Sequence, residues 1–125
     1  MSNPERTARS QYQMKVGEDF PETLNLGEDR FVKKFPMRYG ENPGYPAAFY
    51  QEAGATGPNM GHLEVLQEGT KGLSYINVGD MDLGQRLARK LVQVFKGRQA
   101  CVLIKHEIPS GVALGDDPVE TFEKA

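Results

Sequence analysis

The sequence predicts an α/β fold, and the order of four segments is the basis for this prediction. Residues 62–69 (HLEVLQEG) alternate as a strand does, and residues 80–97 carry apolar residues at helical spacing. The continuous apolar run ACVLI at 100–104 is typical of a strand buried on both faces, and a second helix begins at residue 117. Strand, helix, strand, helix indicates a parallel pair of strands around the first helix, with ligands collecting at the carboxyl ends of the strands.

The first part of the chain is expected to be rich in loops. Residues 1–20 are polar and aperiodic and predict a lead-in, which leaves 21–125 as one folded domain. ETLNLGEDRFVKKF (22–35) predicts extended structure, and the apolar AAFY (47–50) predicts a short strand. Glycine and proline concentrate in residues 36–61, so a long irregular segment is expected there.

The helices have recognisable beginnings and ends. Asp80 is the predicted N-cap of the first helix, Gly97 its stop, and one apolar stripe contains Leu83, Leu87, Leu91, Val94 and Phe95. GVALGDD (111–117) is predicted to be the turn that leaves ACVLI. Asp117, Pro118 and Glu120 then form a capping box for a helix that has only begun at Ala125, so the sequence is expected to be a piece of a longer domain.

Composition excludes several classes of function. The net charge of −2 gives no basic patch for nucleic acid, and no stretch approaches the roughly 18 apolar residues of a membrane helix. The N-terminus has no secretory h-region, so a cytoplasmic protein is predicted. Cys101, the single cysteine, is more readily explained as a small core residue than as a reactive thiol. His62, Cys101 and His106 have no zinc spacing, so no metal is predicted.

Lys105 and His106 follow the predicted buried strand directly and precede a Pro-x-Gly turn. An imidazole accepts protons near neutral pH, and a lysine ammonium stabilises a developing oxyanion. The pair therefore suits attack of a weak amine on a carbonyl group. The spacing also fits a solvent-exposed lysine beside a structural histidine, and without further information that explanation is the commoner one.

Two other segments have unusual composition. In RYGENP (38–43), Arg38 offers a planar fork for phosphate and Tyr39 a ring with a hydroxyl group, although an ordinary surface turn explains the segment equally well. SYIN (74–77) also fits simple turn chemistry before a helix. Neither segment contains a dinucleotide-binding glycine fingerprint or a P-loop.

Three segments, RYGENP with AAFY, LSYIN-VGDMD and ACVLIKHEIPSGVALGD, together resemble one enzyme family. This is the bifunctional AICAR transformylase/IMP cyclohydrolase family, which catalyses the last two steps to IMP in purine biosynthesis. The resemblance is to the N-terminal portion of its transformylase domain, where the family pattern is RYGxNPHQ, SYxN and KHxxPxG, and it covers the chain from about Pro21 onward.

The resemblance implies transfer of a formyl group from the co-substrate 10-formyltetrahydrofolate to the 5-amine of AICAR ribotide. It implies that Lys105 and His106 are catalytic and that Arg38, Tyr39 and Asn77 bind the substrate, with Arg38 at the phosphate. The implied fold is part of a three-layer α/β/α cytidine-deaminase-like subdomain without the deaminase zinc. The implied assembly is a homo-oligomer, a homodimer in the family, or a pairing with a second chain that completes the domain.

The sequence departs from the family pattern, and three hypotheses follow. Gly44 and Tyr45 replace the His-Gln of the pattern, and no IMP cyclohydrolase domain is expected in this chain. The chain is a formyltransferase segment that acts once completed, a nucleotide-binding module without transfer, or a fragment that associates with a complete enzyme. Apolar faces that lack cover predict self-association of the isolated chain.

Overall fold

A computed structural model of the chain describes residues 20–67, 69 and 71–125. The chain divides into two compact units, Met1–Tyr75 and Ile76–Ala125, and each unit is described by itself. The predicted lead-in lies outside the described residues except for Phe20.

In the first unit, three strands form an antiparallel sheet in the order β1-β2-β3. They are β1 (Thr23–Leu26), β2 (Asp29–Pro36) and β3 (Ala48–Glu52). This confirms the extended segment and the short strand predicted for this part of the sequence. The two-residue loop between β1 and β2 begins with Gly27 at φ 65°, a backbone conformation that glycine adopts without steric cost.

The apolar centre of the first unit lies at the end of β2. The rings of Phe35 on β2 and Phe49 on β3 stack with their centroids 5.3 Å apart. Met37 and Tyr39, which directly follow β2, are 4% and 6% exposed and are among the most buried apolar side chains described. The core therefore continues from the sheet into the segment that contains the RYGENP motif.

The strand predicted for residues 62–69 is wrong. A 3-10 turn spans Met60–His62, and residues 63–67 have no regular structure. Leu66 is 92% exposed, so the alternation of apolar residues is not matched by burial. The segment joins neither described sheet, and without a partner strand its backbone has no ladder of hydrogen bonds to make. Asn59 instead accepts a hydrogen bond from the Gly61 N–H at 2.8 Å and starts the 3-10 turn.

The second unit contains the remaining elements, α1 (Tyr75–Val94), β4 (Gln99–Lys105), β5 (Ile108–Gly115) and α2 (Pro118–Lys124). Helix α1 begins at Tyr75, the last residue of the first unit, and not at Asp80 as predicted. Its end was predicted correctly, because Gly97 follows it with φ 78°. The second helix was also predicted correctly. The Asp117 carboxylate accepts hydrogen bonds from the N–H groups of Val119 and Glu120 at 2.9 and 3.0 Å.

The predicted parallel pair of strands around the first helix is also wrong, because residues 63–67, in the expected partner of ACVLI, form no strand. Residues 111–115, expected to be a turn, belong to β5, which pairs with β4 in an antiparallel hairpin. Only two residues connect the strands, and a connection this short allows only antiparallel pairing. The run ACVLI is a strand as predicted, and its residues are half-buried.

The two helices of this unit lie on opposite faces of the hairpin. A Cβ atom placed on Gly84 of α1 would lie 3.2 Å from Cγ1 of Ile104, whereas one placed on Gly115 would collide with Thr121 of α2. Gly115 pairs with Gln99, and side chains alternate along β4, so Gln99 and Ile104 point to opposite faces. The order α1, sheet, α2 confirms the predicted α/β class and gives three layers within this unit.

The described residues contain neither a metal cluster nor a membrane helix. In residues 20–67, 69 and 71–125, no group of three or more histidine, cysteine, aspartate or glutamate side chains is arranged to hold a metal ion. None of the helices in the same residues has the length and apolar character needed to cross a membrane. Cys101 is half-buried in β4 and is not in a disulfide.

Candidate functional site

The RYGENP motif forms a closed loop after β2. The N–H of Met37 donates to the carbonyl of Ala47 at 2.9 Å, and the N–H of Gly40 donates to the carbonyl of Tyr45 at 2.8 Å. The tip of the loop is a four-residue turn in which the Tyr45 N–H donates to the Asn42 carbonyl. With proline second and Gly44 third at φ 83°, this is a type II turn. The turn fixes the direction in which the loop leaves the sheet.

Arg38 and Tyr39 contact each other at the base of this loop. The Arg38 guanidinium lies 4.9 Å from the centroid of the Tyr39 ring, and its Nη2 donates to the Tyr39 hydroxyl at 3.2 Å. Tyr39 is buried and Arg38 is half-buried. The Nε of Arg38 is buried and has no hydrogen-bond partner among the described residues. A buried N–H of a permanent cation without a partner is costly, and an anionic ligand would satisfy it.

The RYGENP and SYIN motifs are joined by their backbones. The Arg38 N–H donates to the Leu73 carbonyl at 2.7 Å, and the Tyr75 N–H donates to the Tyr39 carbonyl at 3.1 Å. Ser74, between these two bonds, is completely buried. Within the first unit, residues 73–75 are therefore bonded to the segment that holds Arg38 and Tyr39, although the two motifs are more than thirty residues apart in the sequence.

Lys105 and His106 lie at the tip of the β4–β5 hairpin. Lys105 ends β4 and pairs with Ile108, so His106 and Glu107 alone form the loop. Their φ angles are 53° and 62°, which places both residues in the left-handed region expected of a type I′ turn. Neither is glycine or asparagine, so each residue costs about 1–2 kcal/mol of backbone strain. The side chains of both Lys105 and His106 are exposed.

A β-bulge follows this turn. Leu103 pairs with Gly111 and Ile104 with Pro109, so Ser110 is the extra residue of β5. The hydroxyl of Ser110 donates to the Leu103 carbonyl at 3.3 Å. Bulges are among the few positions at which a strand accepts proline, which explains how the Pro-x-Gly sequence fits within β5.

Asp80, predicted to be a helix cap, instead bonds to the turn that carries His106. It lies in the second turn of α1, and its Oδ1 accepts a hydrogen bond from the Glu107 N–H at 2.7 Å. Asn77 is three residues earlier, and residues at this spacing lie on the same side of a helix. Asn77 is therefore on the side of α1 that contacts the turn between Lys105 and Ile108.

Comparison with known proteins identifies the family of the chain. A family model described as AICARFT/IMPCHase bienzyme matches residues 6–125. The chain belongs to this family. It is 40% identical over 106 residues to the bifunctional purine biosynthesis protein PurH of Polynucleobacter asymbioticus, and equally so to that of Polynucleobacter necessarius subsp. necessarius. Each match covers 85% of this chain but only 19% of the relative, so the chain spans about a fifth of the length of these proteins.

The structure distributes the site residues predicted for this AICARFT/IMPCHase chain over its two units. Arg38 and Tyr39 are in contact in the first unit, and Lys105 and His106 are adjacent in the second, where Asn77 lies on α1. The family membership predicted from the three motifs is confirmed. The catalytic and binding roles of these residues remain predictions.

Two features of the site were missed from the sequence. The contact of Asp80 with Glu107 joins residues 27 positions apart, and the aspartate has an equally good local explanation as a helix cap. The strain at His106 and Glu107 was missed because type I′ turns are recognised by Asn-Gly or Asp-Gly, and this loop has neither. A two-residue spacing between two strands is the available signal, but the sequence predicts a turn at residues 111–117, which include much of β5.

Proposed function

We propose that this chain contributes to formyl transfer from 10-formyltetrahydrofolate to the 5-amine of AICAR ribotide, as part of a longer or two-chain enzyme. One observation supports the proposal most directly: Lys105 and His106 are adjacent and exposed where β4 enters a strained turn. The chain that contains them belongs to the AICARFT/IMPCHase family. Strained backbone conformations cluster at functional sites, because selection maintains them only where they are used. The relatives are named as purine biosynthesis proteins, which supports the same pathway for this chain.

The proposed chemistry assigns one role to each member of the pair. The AICAR amine attacks the formyl carbon, and His106 accepts the proton that the nitrogen loses. The formyl oxygen gains negative charge, which the Lys105 ammonium stabilises. When the carbonyl group re-forms, the bond between the formyl carbon and the folate nitrogen breaks, and that nitrogen takes up the proton held by His106. The product is formylated AICAR ribotide with tetrahydrofolate.

Substrate binding is assigned to the residues on the two other motifs. Arg38 would bind the ribotide phosphate, because its buried Nε lacks a partner among the described residues and its positive charge is permanent. Tyr39 would support the guanidinium and contact the nucleotide, and Asn77 would hydrogen-bond to it from the first turn of α1. This arrangement needs no metal ion.

The exposure of the catalytic pair supports the requirement for additional sequence. Lys105 and His106 are both exposed, and water weakens the electrostatic stabilisation that a catalytic lysine provides. We therefore infer that the site becomes active when a second copy or a second chain covers the hairpin tip. A homo-oligomer and a location in the cytoplasm are part of the same proposal.

A formyl transfer assay tests the proposal. The full chain is incubated with AICAR ribotide and 10-formyltetrahydrofolate, and production of tetrahydrofolate is followed. We expect Lys105→Ala and His106→Gln each to lower the rate by roughly 100-fold or more, as loss of an acid–base or oxyanion group does. Lys96→Ala, which removes an exposed lysine after α1, is the matched control and should retain the wild-type rate. A wild-type chain that transfers the formyl group, with its rate retained in both Lys105→Ala and His106→Gln, would contradict the assignment.

The second candidate function is nucleotide or partner binding without transfer. The turn at residues 42–45 favours it, because Gly44 stands where the family pattern has histidine and adopts φ 83°. A histidine at this position of a type II turn would be strained, so the loop is built for glycine and not for the missing imidazole. A chain that binds AICAR ribotide but transfers no formyl group would support this second function.

A further inference from the structure

We propose that Asp80 is a positioning residue that holds Lys105 and His106 in the geometry used for catalysis. The proposal rests on the function proposed above. It starts from the hydrogen bond between Asp80 Oδ1 and the Glu107 N–H, at 2.7 Å, which connects the second turn of α1 to the tip of the β4–β5 hairpin.

The turn needs this support because its sequence does not favour its conformation. His106 and Glu107 both have positive φ, in a type I′ turn that usually contains asparagine and glycine. Without a contact to Asp80, a His-Glu loop is more stable outside the left-handed region. Leaving that region would rotate the peptide groups on both sides of His106. The side chains of Lys105 and His106 would then point in new directions.

The Asp80 carboxylate opposes this change because of the atom that it binds. The Glu107 N–H lies inside the two-residue loop, and its direction depends on the φ and ψ angles of His106 and Glu107. A charge-assisted hydrogen bond to a carboxylate is stronger and shorter than one between neutral groups. It is also anchored on a twenty-residue helix, so the loop is held against a rigid element.

A second contact places the turn against the same helix. A Cβ atom added to Gly79 would lie 3.8 Å from Oε1 of Glu107, so the Glu107 side chain lies along α1 beside Asp80. Asn77, the proposed substrate-binding residue, is on this side of the helix one turn earlier. The same face of α1 therefore contacts the turn that follows Lys105 and carries Asn77. Asp80 fixes the position of this turn relative to Asn77.

The experiment compares Asp80→Ala, Asp80→Asn and Asp82→Asn in the full chain by NMR. Asp82 is the matched control because it is on the same helix and forms a local ion pair with Arg86 at 2.8 Å. We expect the Glu107 amide to exchange at least about tenfold faster in Asp80→Ala. The backbone carbon shifts of His106 and Glu107 should lose their left-handed values. The amide oxygen of Asp80→Asn still accepts a hydrogen bond, so exchange should rise by only about threefold. Asp82→Asn should match the wild type.

The same variants are then assayed for formyl transfer. Asp80→Ala should lower kcat by roughly 10- to 100-fold, the cost of a misplaced catalytic group, with KM for AICAR ribotide unchanged. Asp80→Asn should recover most of the rate. An unchanged kcat in Asp80→Ala, or a Glu107 amide that stays protected in it, would overturn the positioning role. If the wild-type chain transfers no formyl group, the proposed function fails for the isolated chain, and the exchange rates and carbon shifts decide the role of Asp80.

Discussion

His106 and Glu107 are the residues whose conformation agrees least with their chemistry. Both adopt φ angles that glycine or asparagine would accept more easily. Residue types alone predicted the chemical abilities of Lys105 and His106, but not the turn that presents them. That turn depends on the hydrogen bond that the Glu107 N–H donates to Asp80 of α1. The conformational preferences of single residues do not predict this bond.

The strain at Glu107 can be measured by replacing it with glycine. We expect Glu107→Gly to raise the free energy of unfolding by up to about 1 kcal/mol, because glycine adopts φ 62° without the Cβ clash. The same replacement at Arg89, an exposed residue inside α1, should lower it by about 1 kcal/mol. Chemical denaturation of the two variants measures both values. If Glu107→Gly destabilises the chain as much as Arg89→Gly, the left-handed turn is not present in solution.

Arg38 illustrates a second limit on prediction from single residues. Its suitability for phosphate followed from its type, and its position beside an aromatic ring followed from the adjacent Tyr39. The buried Nε without a described partner follows from packing around the end of β2, which the sequence does not specify. Because of this atom, Arg38 is a stronger candidate for phosphate binding than the other arginines of the described residues.

At the scale of elements, strong local signals were interpreted correctly and weak ones were not. The glycine stop of α1 and the Asp117 cap of α2 are local chemistry, and both are present. The start of α1 was placed at Asp80 because aspartate is a good cap, whereas the helix begins at Tyr75, where its backbone bonds to Tyr39. The pairing of β4 with β5 is local, since only His106 and Glu107 connect the strands, but these two residues are not the ones that usually mark a type I′ turn.

Two glycines inside α1 test how closely this helix packs on β4. Alanine is favoured over glycine in a helix interior by about 1 kcal/mol. Gly79→Ala should give most of this stabilisation, because its new Cβ would be at an ordinary contact distance of 3.8 Å from Glu107. Gly84→Ala should give clearly less, because its Cβ would lie 3.2 Å from Ile104, which must then shift.

Thermal unfolding of both glycine variants provides the comparison. The predicted order of Tm is Gly79→Ala above Gly84→Ala. Equal stabilisation by the two substitutions would show that α1 does not contact β4 at Ile104, and the three-layer description of the second unit would need revision.

At the scale of the whole molecule, several large apolar side chains of the described residues are exposed. The stripe predicted to face a core ends in Val94 and Phe95, which are 72% and 47% exposed. Val119 and Phe122, neighbours on α2, are 63% and 62% exposed. The order of the predicted elements correctly indicated a mixed α/β chain. Apolar periodicity shows which face of a helix is apolar, but it does not identify the polypeptide that covers that face.

This surface predicts self-association of the purified chain. Light scattering after size-exclusion chromatography should give a mass clearly above the 13.9 kDa of one chain, because exposed apolar patches associate in water. Val119→Ser combined with Phe122→Ser should shift the distribution toward the monomer. A single sharp monomer peak for the wild type would refute the prediction.

The central claim is that this AICARFT/IMPCHase chain has a binding site for AICAR ribotide with Arg38 at its phosphate. Isothermal titration calorimetry with AICAR ribotide tests this claim most directly, on the wild type, Arg38→Ala and the control Arg30→Ala, an exposed residue of β2. We predict binding by the wild type and by Arg30→Ala, with at least about tenfold weaker affinity in Arg38→Ala, the effect of losing a charged hydrogen bond. Absence of binding by the wild type, or equal affinity in Arg38→Ala, would contradict the account.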